Sequence, residues 1–174
     1  PFAFHRHYCR AAEAAKFALP TEVQVKEALN QLLDVENYPV SRVRICFSSN
    51  GDWLITNHAY QDPDSAKLMI FETRNLDNNP RNKTFPYTKN ISLHQNAEKL
   101  SYTDGIILSK DGDVAETSYA NIFLEIDGNW ITPPISAGIL NGVMRAIILE
   151  AKLGSVSPIT LAELSQATKG ILVS

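Results

Sequence analysis

The sequence predicts an α+β protein in two subdomains. Three observations carry that expectation. Helix-period and strand-period segments alternate along the chain, turn signals for hairpins occur in both halves, and an irregular polar stretch at residues 74–89 separates them.

The elements follow in order. His7 to Leu19 is alanine-rich and free of breakers until Pro20, which predicts a helix. Thr21 to Val35 predicts a second, opened by a capping box of Thr21 and Gln24, with Val25, Ala28, Leu29, Leu32 and Leu33 on one face. Val43, Ile45 and Phe47 then alternate with Arg42, Arg44 and Cys46, a strand pattern. Ser49-Asn50-Gly51 offers a turn from which Trp53 to Ala59 returns as the partner strand. Lys67 to Thr73 reads as another strand. Arg74 to Lys89, with two prolines and four asparagines, reads as a loop and a domain linker.

In the second half, Ile91 to Leu100 predicts a helix, Gly105 to Ser109 a strand, and Lys110 to Asp113 a turn. Asn121 to Ile126 and Asn129 to Thr132 predict a hairpin about Asp127-Gly128, ended by Pro133-Pro134. Val143 to Leu153 is a strongly apolar helix, and Thr160 caps a short one ending at Ala167. The predicted division is an N-terminal α+β subdomain at 1–79, a linker at 80–90 and a C-terminal α+β subdomain at 91–174. Pro1 is not an initiator methionine, and Gly170 to Ser174 reads as a buried strand that simply stops. Both ends are therefore expected to be cut.

Composition narrows the function classes. A chain of 174 residues holds a core without disulfide or metal staples. Cys9 and Cys46 form no C-x-x-C pair, and a reduced cytosolic compartment is the simplest reading. A net charge of −3 without a Lys/Arg run argues against nucleic acid as the main partner. No apolar stretch approaches a membrane span, and no signal-peptide pattern is present.

Three constellations carry chemistry. Lys83 sits in Asn82-Lys83-Thr84-Phe85-Pro86-Tyr87, where a loop lysine is usually a solvated charge. Glu116 lies between a Gly-containing turn and an apolar strand, where the plain reading is an exposed strand-end carboxylate. Gly138 to Arg145 is a glycine-bounded helix start whose unpartnered N–H groups are ready to hold a phosphate, although taken alone an ordinary capped helix is the favoured reading. His5, His7, His58 and His94 suggest no metal set. No G-x-S-x-G elbow, P-loop or H-E-x-x-H motif occurs.

Together these residues resemble the class IV aminotransferase and aminodeoxychorismate lyase family, fold-type IV enzymes dependent on pyridoxal 5'-phosphate (PLP). The family order is a Lys-Thr near a linker, an Asp/Glu-Gly/Ala strand, a Gly turn, V-x-E, N-[IL]-F, T-P-P and G-[IL]-L-x-G-[VI]-x-R. Here that order is met by Lys83-Thr84, Asp104-Gly105, Asp111-Gly112, Val114-Ala115-Glu116, Asn121-Ile122-Phe123, Thr132-Pro133-Pro134 and Gly138 to Arg145. Lys83 and Glu116 stand 33 positions apart, as the family places them. Phe4 to Arg10 resembles the family's H-x-x-R-L helix, with Ala11 in place of the leucine.

The resemblance implies a two-subdomain fold like that of D-amino-acid aminotransferase, a cofactor between the subdomains, and a homodimer whose partner chain helps to close the site. Family strands before the first residue, and a Gly/Ser/Thr phosphate loop after the last strand, have no counterpart in the sequence. The resemblance makes Lys83 the cofactor-bearing amine and Glu116 the partner of the pyridine nitrogen. Arg10 and the Val143 and Met144 amides would bind phosphate, and Asn121 joins the cofactor-binding set. Tyr87 either reaches the phenolic oxygen of PLP or packs in the linker. Lys89, Lys99 and Lys110 are misplaced relative to Glu116.

The chemistry fits independently of the name. The aldehyde of PLP requires an amine, and a lysine displaced from it by a substrate amine can move the α-proton. A carboxylate against the ring nitrogen keeps that nitrogen protonated. Three functions are expected to compete. The first is lysis of 4-amino-4-deoxychorismate to p-aminobenzoate and pyruvate for folate synthesis, favoured by the compact linker and the lack of a G-G-N-Y-type segment after Lys83. The second is class IV transamination of branched-chain or D-amino acids. The third is a non-catalytic relic that binds only a partner.

Overall fold

The computed structural model describes residues 2–61, 63–75, 82–85 and 87–174, without the side chains of 72–75. The chain forms two compact units, Pro1–Asp64 and Ser65–Ser174.

In the first unit, α1 spans Phe4–Ala14 and α2 spans Glu22–Val35. Helix α1 begins before His7 and stops at Ala14, short of the expected Leu19. Helix α2 opens with the predicted capping box: the Gln24 N–H donates to Thr21 Oγ1, and the Thr21 N–H donates to Gln24 Oε1. Its fully buried Val25 and Leu29 lie one turn apart on the predicted apolar face. Strands β1 (Ser41–Phe47) and β2 (Trp53–Ala59) form the expected antiparallel hairpin, registered from Ser41 against Ala59 to Phe47 against Trp53. Gly51 turns it at φ 92°, a conformation that costs glycine little. Asn57 Nδ2 donates to the Glu36 carbonyl at 2.8 Å, tying β2 to the end of α2.

The second unit is built on a seven-stranded sheet. Strand β3 (Leu68–Asn75) pairs in parallel with β4 (Asp104–Ser109), and α3 (Thr88–Lys99) connects them. Strand β4 pairs antiparallel with β5 (Val114–Thr117), and β5 with β6 (Asn121–Ile126). Strand β6 also pairs antiparallel with β7 (Asn129–Thr132) and β9 (Lys169–Val173), while β7 pairs in parallel with β8 (Ser155–Val156). Helices α4 (Val143–Glu150) and α5 (Leu161–Gln166) complete the unit.

Alternation along β4 explains its continuous apolar run. Ile106 and Leu108 join Val114, Ile122 and Leu124 in one core, while Ile107 packs with Phe71, Leu93 and Ala97 in another. A strand covered on both faces has no polar side to display. The β6–β7 hairpin turns as expected at Asp127 (φ 50°) and Gly128 (φ 76°), both in the left-handed region that a two-residue turn demands.

Four expectations change. The division falls after Asp64 rather than near residue 79, because β3 bonds to β4 and so joins the second unit. Helix α3 starts at Thr88, inside the expected linker, of which residues 76–81 and 86 lie outside the described residues. Strands β5 and β8 were not anticipated. Strand β9 is not buried as predicted: Lys169 to Ile171 are exposed, with only Leu172 and Val173 half-buried.

Candidate functional site

Glu116 lies in β5, a strand whose four residues are all buried. The exposed strand-end reading is therefore wrong, since its side chain is 4% exposed. Such a carboxylate needs compensating partners. Two are supplied at Oε2: the Leu140 backbone N–H donates at 3.0 Å and Asn121 Nδ2 at 3.2 Å. Asn121 is the residue of β6 registered opposite Glu116, and its Nδ2 also donates to the Leu140 carbonyl at 3.0 Å. One amide side chain thus bridges the strand carboxylate and the loop before α4.

That loop begins with a 3-10 turn at Ile135–Ala137, ended by Gly138 in the left-handed region at φ 77°. Gly142 is the N-cap residue of α4. The Ala146 N–H donates to the Gly142 carbonyl at 3.0 Å, the first hydrogen bond of the helix. The amides of Val143, Met144 and Arg145 precede it and point out of the helix start, where the helix dipole favours an anion.

Arg145 stands behind this start. It is 3% exposed, and its Nε donates to Thr132 Oγ1 at 3.2 Å while a terminal nitrogen donates to the Pro133 carbonyl at 2.8 Å. Burial lowers its guanidinium pKa, and the charge of Glu116 acts in the opposite direction. The sequence reading assigned Arg145 no role. The signal for one was a lone cation in the apolar run from Val143 to Leu149. Leu140 was missed because it acts through its backbone, which no residue type announces.

The structure brings Glu116, Asn121, Val143 and Met144 to neighbouring strand and helix ends of the second unit. Lys83 is exposed in the segment leading to α3. Tyr87 is the N-cap residue of α3 and its ring stacks on Tyr119, with centroids 6.3 Å apart. Arg10 is half-buried on α1 of the first unit. Lys89 and Lys99 lie on α3, and Lys110 in the β4–β5 turn. His5 contacts Glu22 at 2.9 Å. Among the described residues, no group of three or more His, Cys, Asp or Glu could hold a metal, and no helix is long and apolar enough to cross a membrane.

Comparison with known proteins bears on family and fold. The family model for amino-transferase class IV matches residues 1–174. A Thermotoga maritima protein named "Probable branched-chain-amino-acid aminotransferase" is 30% identical over 159 residues, covering 86% of this chain and 58% of its own length. The aminodeoxychorismate lyase of Bacillus subtilis is 29% identical over 85 residues, 49% of this chain and 29% of its own. The chain thus spans well under two thirds of either relative. The solved fold IV transaminase of Curtobacterium pusillum superposes with a TM-score of 0.79 at 20% identity, over all of this chain and 71% of that one. At that identity the likeness is one of fold.

Proposed function

We propose, on the premise that the chain belongs to the class IV aminotransferase family, that it forms the core of a PLP-dependent enzyme acting on an amino-acid-like substrate. The observation that supports this most is the buried Glu116 carboxylate, clamped by the Leu140 N–H and Asn121 beside the start of α4. The residues present fit PLP by the chemistry of the donor set. A buried anion suits a protonated ring nitrogen, leading helix amides suit a phosphate, and a lysine amine suits an aldehyde.

When bound, PLP supplies an electron sink for the negative charge left at the substrate α-carbon. The chain's own residues do the rest. Glu116 holds a proton at the ring nitrogen by charge. Asn121 and Leu140 keep its carboxylate from rotating, and Arg145 lends positive charge behind it. The Val143 and Met144 amides orient the phosphate end. Lys83 would hold the aldehyde end through its amine, and its Nζ would serve as the base for the substrate α-proton. Arg10 is assigned a phosphate role, and Tyr87 a role at the phenolic oxygen, through the family resemblance alone.

For the reaction itself, the reading is lysis of 4-amino-4-deoxychorismate, supported by the lack of a G-G-N-Y-type segment in the sequence after Lys83. Transamination is the second reading, favoured by the 30% identical Thermotoga relative. A homodimer belongs to the proposal, and sedimentation velocity tests it.

The visible spectrum of the purified protein with PLP, alongside Lys83→Ala, tests the core of the proposal. A borohydride-reducible band present in the parent and missing from the variant is the expected result. No band in the parent overturns the catalytic reading and leaves the binding-subunit alternative. Pyruvate and p-aminobenzoate release then decide the reaction: none, with keto-acid-dependent amine transfer instead, overturns the lyase assignment.

A further inference from the structure

A buried polar chain runs between the helix that follows the lysine segment and the turn that joins Glu116 to Asn121. Asn90, one turn into α3, is 7% exposed, and its Nδ2 donates to the Ser118 carbonyl. Ser118 is 1% exposed, and its Oγ donates to Asp104 Oδ1 at 2.6 Å. Asp104, 5% exposed at the start of β4, also accepts the Gly105 N–H at 2.8 Å through the same oxygen. His94 Nδ1 lies 3.6 Å from that oxygen, and the His94 ring meets Tyr119 edge-on at 4.9 Å between centroids.

None of these residues belongs to the proposed cofactor-binding set. Helix, strand and turn could pack on apolar contacts alone, as Leu93, Ala97 and Ile107 already do. Buried polar groups that hydrogen-bond one another, as Asn90, Ser118 and Asp104 do, instead favour one arrangement, because another leaves a donor or acceptor among them unpaired. The arrangement selected here is that of the turn at 118–120. Within the turn, Thr117 Oγ1 accepts the N–H of Ala120 at 3.0 Å, and the Thr117 N–H donates to the Ala120 carbonyl at 2.9 Å. These two hydrogen bonds close the turn, and Glu116 and Asn121 flank it. On the other side, Tyr87 opens α3 and stacks on Tyr119 of the same turn, four residues after Lys83.

We infer that the Asn90–Ser118–Asp104 chain is a positioning unit that sets the lysine-bearing segment against the Glu116–Asn121 strand pair. Asn90 and Asp104 act through the turn, not on substrate or cofactor. This inference rests on the PLP reading above.

The test uses the full chain reconstituted with PLP. Half-saturation is read from the borohydride-reducible band, and modification at Lys83 is read by mass spectrometry after reduction. Ser118→Ala removes one oxygen and leaves the carbonyl that Asn90 uses. It and Asn90→Ala are expected to raise half-saturation roughly tenfold, the scale of one lost buried hydrogen bond, and to lower the yield at Lys83. Asp104→Asn keeps Oδ1 as an acceptor and is expected to retain the parent's affinity. A merely structural role would lower the unfolding temperature of the PLP-free variants without moving half-saturation measured well below it. Parent-like half-saturation and labelling in folded Ser118→Ala overturn the inference, whether or not Asn90→Ala folds. A parent chain that takes up no PLP overturns the functional reading and this one together, so the two failures are distinct.

Discussion

A Cβ placed on Gly142 would lie 2.1 Å from Asn121 Oδ1. Asn121 cannot retreat cheaply, because its Nδ2 is committed to both Glu116 Oε2 and the Leu140 carbonyl. Gly142→Ala is therefore expected to destabilise the fold by about 1–3 kcal/mol, the usual cost of overpacking, and to weaken PLP binding. Urea unfolding and a PLP titration measure both. Parent-like values would show that the contact yields freely.

Glu116→Gln keeps a carbonyl oxygen for the Leu140 N–H and Asn121 while removing the charge. The variant is expected to fold as the parent does and lose turnover roughly a hundredfold, the scale of one removed electrostatic stabiliser. Glu116→Ala leaves the Leu140 N–H unpaired and Asn121 Nδ2 with only the Leu140 carbonyl, and is expected to cost about 1–3 kcal/mol of stability as well. Steady-state rates with thermal unfolding separate the two. Full activity in Glu116→Gln would remove the carboxylate from the chemistry.

Arg145→Met is expected to lower stability by about 1–3 kcal/mol, since the buried Pro133 carbonyl loses its 2.8 Å donor. Arg145→Lys should recover only part of this, because an ammonium cannot reproduce the guanidinium fork that spans Thr132 and Pro133. Unfolding midpoints of the pair provide the check, and equal stability of all three proteins would contradict it.

Helix α5 carries a pH dependence. Glu163 accepts the Thr160 N–H at 2.7 Å in a capping box, and this bond holds its carboxyl below the ordinary value of 4.5. A depressed folded-state pKa contributes stability that is present above the unfolded value and lost as pH falls through the folded one. The Thr160 amide resonance is expected to shift across that acidic window, and in Glu163→Gln the shift should vanish. Its persistence in the variant would assign the titration to another group.

Much of this was legible in the sequence because local rules decide it. Thr21 with Gln24 specified the start of α2, and Asp127-Gly128 the turn of a hairpin, because caps and two-residue turns are closed by neighbours in the chain. Strand β5 escaped notice. Val114, Ala115, Glu116 and Thr117 are buried on both faces, so no alternation marks them as a strand. The arginine in the apolar run of α4 was visible as an anomaly, but its partners Thr132 and Pro133 were not.

By itself, the sequence determined the order of landmarks from Lys83 to Arg145, the helix caps, the β6–β7 turn and the family to which they point. Each depends on residue types at short or ordered spacing. Only the tertiary structure decided that β3 belongs with β4, that Glu116 is buried, and that the Leu140 N–H, 24 positions away, meets its carboxylate. The physical reason is common to all three. Strand pairing and backbone hydrogen bonds between distant segments are set by register and packing, and a backbone N–H is the same group in nearly every residue.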